Sequence, residues 1–191
     1  KFPERLKPIS KRPKLTDLTG AINYNEIYEE LMQHGLEIYT PSAYIFPSKI
    51  AKYQALLKDK GTSLTQRGRE EGIRRLMSVN LLKRLESSVY SFNLTLGRIK
   101  DLIDKTIAAI DKFEKYGVAD LDMYEASADT DWDVDDQNTD FFSVGKKVKI
   151  DLADMDYVSW RDDLRKDAEV LGLVTMMVSD ITPEHDTKLQ T

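Results

Sequence analysis

The run from Thr65 to Tyr116 contains no proline and reads as one continuous amphipathic helix. From Leu85 onward its apolar residues fall at 85, 89, 92, 96, 99, 103, 110 and 113, three and four apart, with Thr106 taking one core slot. An unbroken helix over this stretch would be roughly 78 Å long at about 1.5 Å per residue, far beyond the usual three or four turns of helices in globular proteins. The seam therefore predicts a second helix packed along the first. Ser63 and Gln66 have the spacing of a capping box at the start. Gly117 after Tyr116 can take the left-handed conformation that closes many helices. Asp101/Lys105 and Asp111/Lys115 are expected to pair four residues apart on the exposed face.

The partner is found further along. Asp156 is placed to cap a helix whose apolar residues lie at 157, 160, 164, 171, 174 and 178, and Tyr157, Leu164, Leu171 and Val178 form a seven-residue repeat. The expected fold is thus mainly all-α: a long antiparallel hairpin of helices 65–116 and 156–180, with shorter helices from 20–57 packed at one end. At most a minor β segment is expected, in the alternating part of residues 141–152.

Four regions follow. Residues 1–18 hold three prolines and six Lys/Arg and should form an extended basic arm. Residues 19–116 form a helical region ending in the long helix. Within it, Ile22, Ile27 and Leu31 mark a short helix ended by Gly35; Thr40-Pro41 caps and starts another. Pro47 interrupts that helix, and Ser48 is expected to cap a second piece running through Ile50, Tyr53 and Leu57. Residues 117–140 carry nine acidic side chains and no basic one, the composition of a solvated, flexible linker. Residues 141–191 supply a short extended segment and the return helix.

The net charge of −5 is unevenly spread. Residues 1–75 hold 14 basic and 9 acidic groups, residues 76–115 hold 7 and 5, and residues 116–191 hold 7 and 19. A basic first half is compatible with nucleic acid, and the acidity lies behind the long helix. Asp129, Asp131, Asp133, Asp135 and Asp140 imitate the spacing of a calcium loop. Val134 stands where that loop needs glycine, and Asp140 is shorter than its bidentate glutamate, so no metal is expected.

No catalytic constellation is found. The chain lacks a phosphate-binding G-x-x-x-x-G-K-[ST] loop, a G-x-S-x-G elbow and an H-E-x-x-H pair; its two histidines, His34 and His185, are far apart in sequence. Absence of cysteine excludes disulfides and thiolate metal sites. No run approaches the length of a membrane span and no signal peptide precedes the first helix, so a cytoplasmic protein without a membrane partner is expected. A chain that opens on Lys1 and stops shortly after a helix-start pattern at Thr182-Pro183-Glu184 is expected to be a piece of something longer.

The basic residues of the long helix crowd into its first half: Arg67, Arg69, Arg74, Arg75, Lys83 and Arg84, against Glu70, Glu71 and Glu86. The same stretch carries a resemblance. Leu64-Thr65-Gln66, Arg69-Glu70 and the block Leu76-Met77-Ser78-Val79-Asn80-Leu81-Leu82-Lys83-Arg84-Leu85-Glu86-Ser87-Ser88 through Phe92 resemble the helical segment of bacterial Swi/Snf-type helicase-like ATPases. Tyr39 to Tyr53, Gly145-Lys146 through Asp154, and Asp186-x-Lys188-Leu189 are similar to flanking parts of that segment. The family often has arginine or lysine where this chain has Ser78.

The resemblance implies a non-catalytic helical insertion between the two RecA-like lobes of an ATP-dependent DNA or RNA motor. ATP and magnesium would then belong to the parent protein, with no cofactor held by this chain. Its partners would be the adjoining lobes and DNA or RNA. Lys83, Arg84 and Glu86 match the family block, and two roles stay open for them: ion pairs that pin the helix to a lobe, or contact with the nucleic-acid backbone. Candidate phosphate contacts are Arg74, Arg75, Lys83 and Arg84, with Lys11, Arg12 and Lys14 of the arm. A different reading of the same seam is a self-contained coiled-coil module that dimerises or binds a partner helix.

Overall fold

The computed structural model describes residues 24–33, 35–58, 66–117, 150–182 and 184–185. Among the described residues five α-helices follow in order: α1 (Tyr24–Gln33), α2 (Ile50–Lys58), α3 (Gln66–Ser87), α4 (Val89–Tyr116) and α5 (Tyr157–Met177). Short 3-10 turns lie at Glu37–Tyr39, Pro41–Tyr44, Pro47–Lys49 and Leu152–Asp154. The described residues contain no strand. Their β content is one antiparallel bridge, Ile45 with Met155; at the described end of the expected extended segment Asp151 is extended and Leu152 opens the turn at 152–154.

The hairpin is α4 against α5, and its direction is read from three ion pairs. Arg161 reaches Glu114 at 2.5 Å and Asp111 at 2.8 Å, and Arg165 lies 3.8 Å from Asp111. Moving forward along α5 thus moves backward along α4, so the helices are antiparallel. Phe113 meets Tyr157 edge-on at 5.4 Å between centroids, closing the same end. Along the interface Val89, Phe92, Leu96, Ile99, Ile103 and Ile110 face Trp160, Leu164, Leu171, Val174 and Val178 within one buried core. A fully buried side chain of this size contributes about 1.5–3 kcal/mol, so the seam dominates the stability of the hairpin.

Local signals explain the ends. Gly117 has φ 66°, and its N–H donates to the Phe113 carbonyl at 2.8 Å. Asp156 accepts from the Ser159 amide at 3.1 Å and caps α5. Thr106 is buried in its core slot because its hydroxyl donates to the Leu102 carbonyl at 2.8 Å, which satisfies the oxygen inside the helix.

Several expectations are corrected. The long helix is broken: Ser88 is extended (φ −163°, ψ 129°) and separates α3 from α4. Ser88 Oγ accepts from the Ser91 amide at 3.3 Å, making the residue an N-cap for α4. Thr40 does not cap a helix with its side chain; its hydroxyl donates to the Glu37 carboxylate. Ser48 lies inside the turn preceding α2 rather than at a cap. On α4, Lys100 pairs with Asp104 at 2.7 Å, while Asp111 turns across to α5, so the two expected surface pairs are replaced. Ser63, the calcium-like aspartates, the linker 117–140 beyond its first residue and residues 141–149 of the expected extended segment lie outside the described residues, as does the basic arm.

The remaining elements gather at one side of α3 and α5. Ile27 and Leu31 of α1, Leu36 and Ile38 of the following turn, and Met77, Leu81 and Leu85 of α3 join the main core. The chain turns sharply after α1 because Leu36 is left-handed, at φ 47°, a conformation costing a non-glycine residue roughly 1–2 kcal/mol. At Gly35 an added Cβ would meet the Glu37 side chain, which would have to move aside.

Candidate nucleic-acid interface and a polar clasp

The basic first half of the long run becomes α3, and its cations divide into two groups. Arg74 points inward. Its guanidinium donates to Glu71 Oε1 at 2.6 Å and to the Gly35 carbonyl at 3.3 Å, and Glu37 and Asp167 add to the negative field around it. The hydrogen bond from Arg74, ahead of the pull of Arg75, holds the Glu71 carboxyl below its ordinary range. Arg84 is half-buried and engaged within the chain. Arg75 and Lys83 face solvent, although Arg75 also leans on Glu71 at 3.2 Å. Eight residues apart on a helix, these two are offset by about 80° around the axis and roughly 12 Å along it, so they form a diagonal rather than a single row. Glu86 is exposed, yet it accepts a hydrogen bond from Tyr24 and ties α1 to the end of α3. Burial first, and then this carboxylate, raise the Tyr24 hydroxyl above its ordinary ionisation range. Lys11, Arg12 and Lys14 lie outside the described residues.

What the structure gathers most tightly is a polar cluster that periodicity does not announce. Asp167 occupies a core position on α5, 3% exposed, and accepts from the Glu37 amide at 2.6 Å. Trp160 Nε1 donates to the Glu37 carbonyl at 3.0 Å. Glu70 of α3 is 4% exposed and accepts from the Ser42 amide at 2.9 Å. Tyr44 donates to Asp163 at 2.9 Å; its own burial, then Asp163, push its hydroxyl far above the usual range. These bonds clasp the segment 35–44 between α3 and α5. They satisfy its backbone N–H and C=O groups, which burial would otherwise leave costly.

A second knot fastens α2. The Asp154 carboxylate accepts from Lys52 at 2.5 Å and from Tyr53 at 2.8 Å, and Lys49 lies 3.1 Å from its other oxygen. Tyr53 also accepts from the Asp151 amide at 3.0 Å. The Lys52 and Tyr53 bonds hold the Asp154 carboxyl far below the ordinary carboxylate range. Around it, Phe46 N–H donates to the Asp154 carbonyl at 3.0 Å and Asp156 N–H to the Tyr44 carbonyl at 2.8 Å. The two segments that meet here, 39–53 and the stretch ending at Asp154, are both among those singled out in the sequence. Their meeting had no sequence signal beyond that.

No cluster of three or more metal-ligating side chains occurs among the described residues, and no helix among them is long and apolar enough to cross a membrane. The carboxylates of the two knots are engaged with backbone amides, lysines and tyrosines. That arrangement orders the chain. No known protein family, curated protein or solved structure matches the chain.

Proposed function

We propose that the chain is a non-catalytic helical part of an ATP-dependent DNA or RNA motor of the Swi/Snf type, serving to position the motor's two lobes. The observation that carries the reading is the division within the family-like block. Met77, Leu81, Leu85, Val89 and Phe92 are spent on the core, while Lys83 stands at the surface of the same block, beside an exposed Glu86 that also accepts from Tyr24. Charged residues kept outward on a well-anchored helix suit a contact with a neighbouring domain or with phosphate.

Between the two roles left open for these residues, lobe positioning is favoured, because Arg74 and Arg84 are drawn into the chain's own contacts. A coiled-coil module using the 85–113 seam is less well supported, since that seam is already packed against α5.

The test is salt-dependent binding of duplex DNA to the chain and to a Lys83→Ala/Arg84→Ala variant. Under lobe positioning the wild type binds weakly, at roughly 10⁻⁴ M or poorer, and the variant keeps both its affinity and its helicity. A phosphate track would instead lower the salt slope of the variant by about 0.9 for each lost contact. The parent reading frame decides the wider claim: phosphate-loop and arginine-bearing motor motifs must flank this region.

A further inference from the structure

The long run 66–116 contains neither proline nor glycine between Ile73 and Leu96, yet the structure breaks it at one residue, Ser88. The break is economical. Ser88 N–H still donates to the Arg84 carbonyl at 2.7 Å, and its carbonyl still accepts from Phe92 N–H at 3.0 Å. A single hydroxyl replaces the ladder bond that Ser91 would make in a continuous helix. Serine pairs are among the few sequence features at which helices kink sharply, and Ser87-Ser88 is such a pair.

The apolar spacing ignores the break. Met77, Leu81, Leu85, Val89, Phe92, Leu96, Ile99 and Ile103, all buried, remain three or four apart straight through residue 88. One extended residue interrupts the helical phase, so a sequence encoding only the bent form has no reason to keep the spacing of a straight helix across the corner. Besides the burial of Met77, Leu81 and Leu85 in the shared core, contacts remote from the corner hold it: Arg74 on the Gly35 carbonyl, Glu70 on the Ser42 amide, and Asp167 with Trp160 on Glu37. A conflict between local preference and tertiary placement is where a functional element is expected.

We infer that Ser88 is a two-state hinge, at which α3 and α4 alternate between the clasped corner and one continuous helix when the clasp around Glu37 opens. The inference concerns the chain itself and stands apart from the motor reading. In the straight state the amides of residues 89–91 bond to the carbonyls of residues 85–87, and α3 swings away from α5 as an extension of α4. Hinges of this kind convert the loss of a few specific contacts into a large displacement.

The experiment is a spin-label distance measurement on the full chain. Labels go on Gly72→Cys, where an added side chain meets open space, and on exposed Lys105→Cys. A continuous helix separates these sites by about 50 Å, and the corner holds them closer. Three versions of the hinge are compared: wild type, Ser88→Ala and Ser88→Gly. Both substitutions delete the hydroxyl, but alanine favours the continuous helix whereas glycine disfavours it. The distance near 50 Å should gain population about five- to ten-fold in Ser88→Ala, and not in Ser88→Gly. Asp167→Asn, with Ser88 intact, should raise the same population by weakening the clasp, and it decides the question where Ser88→Ala does not fold. A single short distance in every folded variant, Asp167→Asn included, overturns the hinge, as does an equal gain in the alanine and glycine versions.

Discussion

The α4–α5 hairpin and the clasp around residues 35–44 lie side by side on α5 and are built on opposite principles. The hairpin is joined by a repeating apolar stripe in which each residue does much the same as its neighbour a turn away. The clasp is joined by single hydrogen bonds, Glu37 N–H to Asp167, Trp160 to the Glu37 carbonyl and Ser42 N–H to Glu70, none of which can stand in for another. Redundant packing gives a hairpin that tolerates change in proportion to the volume removed. Individually satisfied polar groups give a clasp that fails one bond at a time.

The strongest way to break the comparison is to cut the stripe. Phe92→Ala removes a fully buried ring from the centre of the hairpin and should cost about 3–5 kcal/mol in urea unfolding, with the loss felt across the whole molecule. Asp167→Ala should cost less, about 1–3 kcal/mol, because it strands the buried Glu37 amide. Its signature is spatial: hydrogen exchange should accelerate first in residues 35–44 while the centres of α4 and α5 stay protected. If Asp167→Ala loosened the hairpin as much as the clasp, the two regions would be one cooperative unit.

Acid sharpens the contrast further. The Asp154 carboxyl is depressed below its ordinary value by Lys52 and Tyr53, so the stability it lends is present above the usual carboxylate range, near pH 4, and is lost as pH falls through that range toward the depressed folded value. Titrating the wild type against Asp154→Asn should therefore show a steeper acid loss in the wild type. Parallel curves would mean that the knot adds nothing. The smallest effect is expected at the surface, where Lys100→Ala removes the Lys100–Asp104 pair and should change stability by about 0.3–0.5 kcal/mol, vanishing at high salt.

The same contrast explains what could be read beforehand. The α4–α5 pairing, the Asp156 cap, the left-handed Gly117 and the buried Thr106 all follow from periodicity or from short-range chemistry, and each is present. The break at Ser88 is not legible in sequence, because an N-cap serine within a helical run has no marker separating it from an ordinary helix serine; tertiary contacts decide between the two. Asp167 and Glu70 look like surface charges in sequence, and their burial follows from amides that lie 130 and 28 residues away. Thr40 stands ahead of Pro41 at the start of a turn, as its sequence predicts, but its hydroxyl goes to the Glu37 carboxylate rather than to a cap bond. Of the candidate phosphate contacts, sequence could count the cations of α3. Only packing could tell the inward Arg74 from the outward Lys83.

The spans of these contacts also imply a sequence in time. The hairpin closes through ion pairs 47 and 50 residues apart, the Tyr53–Asp154 knot through 101 residues and the Glu37–Asp167 bond through 130. Each added length of open chain makes closure entropically harder, by about 0.6 kcal/mol per doubling, and the longer closures lack a repeating stripe to reward partial assembly. A chain built this way is expected to zip its hairpin first and draw residues 35–58 onto it last, so that the segments made latest in folding are the ones most readily given back.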